Sequence, residues 1–295
     1  MKINFTFTWR YKVRWDCKQA QERSNVDVSN PHAPLALSFC GRNFLFDHLD
    51  GNDQIGHQIQ SGEFECPLPL FVMASLCRLG GAFIDVGANS GLYTVLACKA
   101  AENINVIAFE PFPVAIRSLK RNIDINDIGN RVTFFNMGLS NTNTTSVLYI
   151  PENSTDILET SCSLEADFKE THKGTLQIET RTLDSLAIKQ KISVIKVDIE
   201  GHEHAFLEGA QETILQNRPI IFIEVLDGAK KEFHQKFLST AGYKDFRLRP
   251  EMAILDYAVR FDGKAWNHAF VPNDKIDVFL ECCRAHTIEV CTRMM

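Results

Sequence analysis

Short apolar runs alternate with stretches of helical hydrophobic spacing along the middle of the chain. Buried strands are predicted at residues 82–86, 105–109, 131–136, 193–198 and 219–225, and helices at residues 91–101, 112–125, 202–216 and 230–241. Strands that helices cover on both faces are apolar almost throughout, as these runs are. Repeated strand–helix units therefore predict a doubly wound, mostly parallel α/β sheet with right-handed crossovers.

The first residues of the chain follow a different pattern. Apolar and polar side chains alternate strictly from Ile3 to Trp15, which predicts one long amphipathic strand. Such a strand covers a sheet edge or pairs with a second subunit, so a homodimer is one interpretation. Two others stay open: a basic and aromatic surface for a sugar or lipid, and an extension without fixed structure.

Further elements are predicted on either side of the repeated units. They are a polar linker at 17–34, a hairpin around Gly41 at 35–46, a short helix from residue 55, an apolar helix at 67–79, strands at 147–150 and 176–180 within a polar insertion at 137–181, a strand at 254–260 and a terminal helix at 274–285. The chain is thus expected to have a β-rich N-terminal extension (1–54), a core with the insertion (55–245) and C-terminal strands that complete the core (246–295).

Composition and charge narrow the functional class. The chain has 295 residues, 45% hydrophobic and 23% charged, and its formal net charge of −6 shows no electrostatic footprint of nucleic-acid binding. Its nine cysteines include no pair with zinc-site spacing, so we expect free thiols in a reducing compartment. Because no segment is typical of a signal peptide or a membrane span, we expect a cytoplasmic protein.

The most informative stretch is the glycine turn after the first core strand. Asp85 stands near the end of that strand, and Gly87 and Gly91 form a tight turn into the next helix. The spacing fits neither a dinucleotide-binding loop, with glycine at its first, third and sixth positions, nor a P-loop, which ends in Gly-Lys-Ser/Thr. An acidic residue before such a turn suits a ligand with a cationic end, and S-adenosylmethionine, with its ammonium and sulfonium, is such a ligand.

A second acidic residue supports a nucleoside ligand. Glu110 ends the next apolar run, 25 residues after Asp85. This is near the offset at which a carboxylate reaches the ribose hydroxyls in nucleotide-binding βαβ units. Either residue alone has a simpler interpretation, as the cap of the helix that follows its strand.

Polar residues at several strand ends predict one shared site. In open α/β sheets, ligands bind at the edge where the carboxyl ends of the strands meet. The residues expected at that edge are Asp85, Glu110, Asn136 and Asp198.

Three residues near the last of these strand ends are candidates for catalysis. Asp198, Glu200 and His202 are the residue types that take a proton from a hydroxyl substrate or hold a divalent metal that activates it. His202 and His204 are two positions apart and diverge on a helix, so we expect no metal site. The simpler interpretation of both histidines is that they lie on the surface at a helix N-terminus.

The ordered set of these segments resembles the FkbM family of methyltransferases. The resemblance runs from about residue 55 to residue 226 and is carried by Asp85-Val86-Gly87-Ala88-Asn89-x-Gly91, Phe109-Glu110-Pro111-x-Pro113, Thr182-Leu183-Asp184, Val197-Asp198-Ile199-Glu200-Gly201-x-Glu203, Leu207-x-Gly209-Ala210, Arg218-Pro219 and Ile223-Glu224-Val225. It implies a class I, Rossmann-like methyltransferase with a seven-stranded sheet. It further implies S-adenosylmethionine as the cofactor and a hydroxyl of a sugar, glycolipid or secondary metabolite as the acceptor.

The expected cofactor contacts come from the segments around these motifs. They are Glu65, Asp85, Gly87, Ala88, Asn89, Gly91, Leu92, Tyr93, Glu110, Pro111, Phe112, Asn136 and Asp198. Glu65 is included because the resemblance implies an acid there. Phe112 is expected to stack on adenine or to pack in the core, and Asn136 to bond the adenine edge or to end a strand. By the same resemblance, residues 161–164 line the acceptor pocket and Glu224 faces it.

Other functions remain alternatives at this point. A non-catalytic binding protein of the same fold has no need to keep Asp85, Glu110 and Asp198 together. A methyltransferase that acts on nitrogen or carboxyl groups is a further alternative, and the glycine spacing disfavours an NAD-dependent oxidoreductase. We expect a small-molecule or glycan acceptor, no nucleic-acid partner and no membrane span.

Overall fold

The computed structural model describes residue 30 and residues 33–49, 52–61, 64–152 and 161–293. The strand expected between Ile3 and Trp15 and most of the linker expected at 17–34 lie outside the described residues. The elements follow in this order: β1 (Leu35–Phe39), β2 (Arg42–Phe46), α1 (Gln54–Ser61), α2 (Leu68–Leu79), β3 (Ala82–Val86), α3 (Leu92–Ala100), β4 (Asn105–Phe109), α4 (Pro113–Ile125), β5 (Val132–Phe135), β6 (Gly138–Leu139), β7 (Thr144–Pro151), β8 (His172–Arg181), β9 (Ile192–Val197), α5 (Glu203–Gly209), α6 (Gln211–Asn217), β10 (Ile220–Glu224), α7 (Lys231–Ala241), β11 (Tyr243–Arg249), β12 (Met252–Asp256), β13 (Asn267–Pro272), α8 (Ile276–Ala285) and β14 (Glu289–Thr292).

In the described part of the chain, nine strands form the central sheet, in the order β14–β12–β11–β13–β10–β9–β3–β4–β5. Strands β5, β4, β3, β9 and β10 pair in parallel with one another, whereas β13 is antiparallel to both β10 and β11. The doubly wound, mostly parallel α/β fold predicted from the sequence is confirmed. The described sheet has two strands more than the seven expected, because β12 and β14 extend it beyond β11.

Helices cover both faces of this sheet. Phe83 and Phe222 belong to the core that α2, α3, α4 and α8 close on one face. Ile84 and Ile221 belong to the core that α5, α6 and α7 close on the other. Successive residues of a strand point to opposite faces of the sheet, so Phe83 and Ile84 in β3 are both buried, as are Ile221 and Phe222 in β10. Each such side chain contributes about 1.5–3 kcal/mol on burial, which explains why these strands read as continuous apolar runs.

The helix predicted at 202–216 is two helices in the structure, α5 and α6, which meet at Ala210. A Cβ on Gly209, the last residue of α5, would lie 2.0 Å from the backbone oxygen of Ser140. The segment after β6 therefore packs directly against the end of α5. This close approach coincides with the break between the two helices.

The C-terminal segment holds the largest differences from the expected elements. The helix predicted at 274–285 is confirmed as α8, and the strand predicted at 254–260 overlaps β12, whereas β11, β13 and β14 were not predicted. β11 escaped prediction because two of its charged residues, Asp245 and Arg247, are buried. Asp245 Oδ1 lies 2.8 Å from His268 Nδ1, and Arg247 pairs with Asp256 at 3.1 Å. Buried polar pairs of this kind interrupt the apolar pattern on which strand prediction depends.

Two further sheets are present among the described residues. β1 and β2 form the hairpin expected at 35–46, and Asn126, the residue that follows α4, binds it. The Asn126 side chain accepts a hydrogen bond from the Leu45 amide at 3.0 Å and donates one to the Leu45 oxygen at 2.7 Å. In the insertion, β7 and β8 pair antiparallel and β6 joins β8.

No helix among the described residues is both long and apolar enough to cross a membrane. Each cysteine in the described part of the chain is a free thiol, as expected.

Candidate functional site

A cavity of about 540 Å³ opens where the carboxyl ends of β3, β4, β9 and β10 meet. Its lining includes these residues predicted from the sequence: Glu65, Gly87, Ala88, Asn89, Leu92, Tyr93, Glu110, Pro111, Phe112, Asp198 and Glu200. The other predicted residues, Asp85, Gly91, Asn136 and His202, do not line it. Parallel strands deliver their carboxyl ends to one edge of the sheet, which is why residues so far apart in sequence converge here.

Gly87 makes the closest contact between two of the loops at this edge. Its φ of 75° lies in the left-handed region, and a Cβ on it would lie 1.9 Å from the backbone oxygen of Asp198. The Asp198 amide donates a hydrogen bond to the backbone oxygen of Val86 at 3.1 Å. Because only glycine allows this approach, the turn after β3 sets the position of Asp198.

Gly91 lets helix α3 begin at the side of the cavity. Its φ is 90°, and a Cβ there would lie 2.4 Å from Leu119 Cδ1. The residue thus shapes the turn without lining the cavity.

Glu110 is buried at the end of β4, with both carboxylate oxygens engaged by backbone amides. Oε2 accepts a hydrogen bond from the Asn89 amide and Oε1 accepts one from the Phe112 amide, each at 2.8 Å. Burial raises the pKa of Glu110 to about 7, although these two hydrogen bonds act in the opposite direction. Each oxygen keeps further lone-pair capacity for a donor in the cavity.

Asn136 supports Glu110 from outside the cavity. Its amide donates hydrogen bonds to the backbone oxygens of Glu110 and Pro111, both at 2.9 Å. The side chain therefore holds the segment that carries Glu110.

Asp85 lies fully buried outside the cavity lining, close to a lysine that sequence reasoning missed. Asp85 Oδ2 accepts a hydrogen bond from Thr94 Oγ1 at 2.7 Å. Burial raises the pKa of Asp85, and Lys196 opposes this shift. Lys196 lines the cavity, and the sequence signal for it was a charged residue in the middle of the apolar run Ile195-Lys196-Val197.

Lys196 links the acidic residues of the site. Its ammonium donates a hydrogen bond to Asp198 Oδ2 at 2.9 Å and lies 4.6 Å from the centroid of the Tyr93 ring. The Tyr93 hydroxyl in turn donates a hydrogen bond to Glu65. Burial alone would lower the pKa of Lys196, but the carboxylates of Asp198, Glu65 and Asp85 raise it above its ordinary value.

Acidic groups outnumber basic ones around the cavity. The acidic lining residues are Glu65, Glu110, Asp198, Glu200 and Glu224, and the basic ones among the described residues are Lys196 and Lys264. Burial, followed by the Asp198 carboxylate, raises the pKa of Glu200 to about 9 and that of Glu224 well above its ordinary value. A cation in the cavity would stabilise the ionised form of these groups, so the lining favours a positively charged ligand.

Three lining residues other than glycine have left-handed backbones. Their φ values are 42° for Glu65, 49° for Asn89 and 56° for Glu200. Such conformations cost on the order of 1 kcal/mol each and cluster at functional sites. The turn with Glu200 is held by Glu203, whose Oε1 accepts hydrogen bonds from the amides of Ile199 at 3.1 Å and Gly201 at 3.2 Å.

His202 is bound to the insertion instead of facing the cavity. Its Nδ1 lies 2.7 Å from Glu165 Oε1 and its Nε2 lies 2.9 Å from Ser140 Oγ. The order serine, histidine, acid is that of a hydrolase triad. Ser140, however, is buried and does not line the cavity, so the chain of bonds fastens the insertion to the start of α5.

The insertion and the C-terminal segment supply the remaining walls. Cys162 and Leu164 of the expected acceptor segment line the cavity, and Ser163 Oγ donates a hydrogen bond to the backbone oxygen of Glu200 at 2.6 Å. Glu224 lines it as well. Sequence reasoning missed the segment 263–267 entirely, since it carries none of the motifs and lies beyond the resemblance.

Within the described ranges, no group of three or more His, Cys, Asp or Glu residues is arranged to hold a metal ion.

A model of the FkbM methyltransferase domain matches residues 85–248, more than half of the chain. The match begins at Asp85 and contains β4, β9, β10 and all of β11 except Arg249. It ends before the segment 263–267.

The chain is also similar to individual methyltransferases. Methyltransferase sdnD of Sordaria araneosa is 28% identical over 155 residues, covering 44% of this chain and 60% of that protein. The hexuronic acid methyltransferase AglP of Haloferax volcanii is 30% identical over 162 residues, covering 53% of this chain and 61% of that protein. The chain thus spans about three fifths of the length of these two curated relatives. A solved structure of methyltransferase FkbM from Methylobacillus flagellatus is 18% identical with a TM-score of 0.45, covering 64% of this chain and 43% of that one.

Proposed function

Since this chain belongs to the family of methyltransferases with an FkbM domain, we propose that it transfers a methyl group from S-adenosylmethionine to a hydroxyl of a sugar or another small molecule. The observation that carries the proposal is the position of Glu110, at the end of β4 beside the Gly87 turn in an acid-lined cavity. This arrangement combines an acceptor for hydroxyl donors with a negative surface for a cationic ligand.

The chemistry of the lining fits this cofactor. The free lone pairs of Glu110 suit the two hydroxyls of a ribose, and Phe112 borders the cavity next to it, where an adenine ring can stack. Glu65 and Asp198 are the acidic groups we assign to the ammonium end. When bound, S-adenosylmethionine supplies a methyl group on a positively charged sulfur.

Glu200 is the residue that we assign to the acceptor proton. Asp198 is already paired with Lys196, and His202 is bonded outside the cavity, so both are less suited as bases. Glu200 lines the cavity, and its pKa of about 9 in the ligand-free protein makes its ionised form a strong proton acceptor. A cationic ligand in the cavity lowers this pKa and so favours the ionised form that the reaction needs. Its left-handed backbone, held by Glu203, fixes where that proton is taken up.

The acceptor class is proposed from a similar protein and not from the geometry of the cavity. One relative is described as acting on hexuronic acid, so sugar hydroxyls are the first acceptors to test in this chain. Most of the acceleration should come from holding the acceptor oxygen in line with the methyl group.

Calorimetric titration and a methyl-transfer assay test the proposal together. We expect S-adenosylmethionine and S-adenosylhomocysteine to bind and NAD not to bind. Glu200→Gln should leave S-adenosylhomocysteine affinity unchanged and lower kcat by about 100-fold or more. Glu212→Gln, on the exposed side of α6, is the matched control.

Three outcomes would count against the proposal. Binding of NAD in preference to S-adenosylhomocysteine would point to a different enzyme class. Binding without transfer to any hydroxyl acceptor would favour a non-catalytic protein. A Glu200→Gln variant with the kcat of the wild type would remove Glu200 as the base.

A further inference from the structure

One wall of the cavity comes from residues outside the segment that matches the FkbM domain. The match ends at residue 248, and Pro250 together with residues 263–267 lines the cavity beyond it. Pro250 lies between β11 and β12, and residues 263–267 follow β12 and lead into β13, which lies antiparallel beside β10. The wall therefore stands next to the carboxyl end of β10.

Trp266 is an aromatic residue of this wall. It belongs to the cavity lining and remains 46% exposed. The Val225 amide donates a hydrogen bond to the Trp266 backbone oxygen at 2.8 Å, which fixes the residue against the end of β10. A rigid aromatic face at a cavity mouth suits a flat, partly apolar ring, because it gives contact area at little cost in conformational entropy.

Two polar residues stand beside Trp266. Glu224 and Asn267 are direct partners in the antiparallel pair of β10 and β13, so their side chains share one face of the sheet, and both line the cavity. Glu224 Oε2 is buried and has no hydrogen-bond partner among the described residues. A buried polar atom that faces a cavity in this way calls for a partner from a ligand.

The protonation of Glu224 widens what it can bind. Burial and the neighbouring Asp198 and Glu200 carboxylates raise its pKa well above the ordinary value. The raised pKa favours the protonated carboxyl group, which donates one hydrogen bond and accepts others. Together with the Asn267 amide it can satisfy neighbouring hydroxyls, each of which both donates and accepts.

The lining offers an anion little positive charge. Of the two described basic residues that line the cavity, Lys196 is committed to Asp198 and Lys264 stands on this wall, whereas five described lining residues are acidic. A carboxylate or phosphate on the acceptor would raise the pKa values of these acidic groups further and would compete with the Asp198 carboxylate for Lys196. The relative described as a hexuronic acid methyltransferase therefore does not predict the acceptor charge for this chain.

We infer that Trp266, Asn267 and Glu224 form an acceptor subsite for an uncharged, polyhydroxylated ring, with the ring stacked on Trp266. The inference rests on the proposed methyltransferase function and adds the chemical class of its acceptor. It assigns the choice of acceptor to a segment that the family domain does not include.

Matched methyl hexopyranosides test this subsite in the presence of saturating S-adenosylhomocysteine. The panel contains gluco, galacto and manno rings, each in its neutral form and with a 6-carboxylate or 6-phosphate, and binding is measured by calorimetry or ligand-observed NMR. We expect at least one neutral ring to bind 10-fold or more tightly than its anionic counterparts. Trp266→Ala should weaken that binding by 10-fold or more, and Trp266→Phe should retain most of it.

Tyr257→Ala is the matched control, because Tyr257 is 54% exposed in the same connection but does not line the cavity. It should bind the neutral ring like the wild type. S-adenosylhomocysteine affinity is measured for every variant, and Trp266→Ala should leave it unchanged. In a methyl-transfer assay, Trp266→Ala should raise KM for the neutral ring with a smaller effect on kcat.

Cofactor binding tests the proposed function, and ring binding tests the acceptor subsite. Failure of S-adenosylhomocysteine to bind the wild type would overturn the proposed function. If S-adenosylhomocysteine binds, the subsite is overturned by tighter binding of an anionic ring, by an unchanged acceptor affinity in Trp266→Ala, or by the absence of binding across the panel.

Discussion

The ammonium of Lys196 lies 2.9 Å from the carboxylate of Asp198, and the two residues stand two positions apart at the end of β9. Only 4% of Lys196 is exposed, and its charge also lies over the ring of Tyr93. The pair thus joins the most buried cation of the cavity lining to the carboxylate that Gly87 positions. Asp198 is therefore a member of an electrostatic network and not an unpaired carboxylate.

Replacing Lys196 should destabilise the protein. In Lys196→Met, Asp198 and Glu65 lose their common cation, and removing one partner of a buried pair costs about 3 kcal/mol. Because its pKa is raised, Lys196 stays charged from pH 5 to pH 9, so its own contribution does not vary in that range. The loss should still be smaller at pH 5, where the orphaned carboxyl groups can take up protons.

Urea denaturation at both pH values measures this loss. Lys244→Met, on the exposed side of β11, is the control and should stay within about 0.5 kcal/mol of the wild type. An equal, small effect of both substitutions would show that the pair is not important for stability.

Replacing Glu110 should weaken cofactor binding. Glu110→Ala removes the carboxylate proposed to bind the ribose, and hydrogen bonds to a charged group contribute roughly 1.5–3 kcal/mol. We expect a loss of S-adenosylhomocysteine affinity in calorimetry of roughly 10- to 150-fold. Glu102→Ala is the matched control, because Glu102 is exposed in the turn that precedes the first residue of β4. Unchanged affinity in Glu110→Ala would take Glu110 out of the cofactor site.

The stability of the ligand-free protein should fall as the pH rises. Burial raises the pKa of Glu110 and of Glu203 from an ordinary 4.5 to about 7. The folded protein then holds these protons more tightly than the unfolded chain, so this contribution is full below pH 4.5 and is lost as the pH rises through about 7. Tm should therefore decrease from pH 5 to pH 8, and Glu110→Gln should flatten the decrease relative to Glu102→Gln.

The same groups should make cofactor binding pH-dependent. A cationic ligand favours ionised carboxylates, so S-adenosylmethionine should bind more tightly at pH 8 than at pH 6 and release protons on binding. S-adenosylhomocysteine, whose sulfur is neutral, should show a weaker dependence. Titrations in two buffers with different ionisation enthalpies measure the protons released, and equal values for both ligands would contradict the role of the acidic lining.

Gly87→Ala should disturb the fold and the site together. The added Cβ would meet the backbone oxygen of Asp198, and neither atom can move away without shifting a strand end. We expect a loss of about 2 kcal/mol or more in the free energy of unfolding and weaker S-adenosylhomocysteine binding. Gly228→Ala, where no atom lies within 4 Å of the added Cβ, should change neither quantity. A stable, fully binding Gly87→Ala variant would mean that the two loops are free to separate.

Methyl transfer should continue in EDTA. His202 is occupied by Glu165 and Ser140, which leaves it unavailable as a metal ligand in the described arrangement. Rates measured with EDTA and with added Mg²⁺ or Mn²⁺ should agree. Activity that is lost in EDTA and restored by either ion would instead assign Asp198 and Glu200 to a metal.

The sequence by itself determined the elements whose physics is local. β3 and β4 were predicted to the residue, because a strand covered by helices on both faces must be apolar along its whole length. Gly87 and Glu110 were expected at the carboxyl edge of the sheet from their places after those strands, and both line the cavity there. A strand and the residue that follows it are contiguous in the sequence, so the position of that residue at the sheet edge is predictable without knowing its distant neighbours.

Only the tertiary structure decided which distant groups meet. Nothing near Lys196 in the sequence identifies Glu65 or Tyr93 as its neighbours, and nothing around His202 indicates that Ser140 draws it away from the cavity. β11 stayed hidden because its buried Asp245 and Arg247 have their partners on β13 and β12, and Trp266 lies at the cavity because β13 returns antiparallel beside β10. Hydrophobic periodicity records which face of an element is buried, but the partner on that face depends on how the strands are ordered in the sheet.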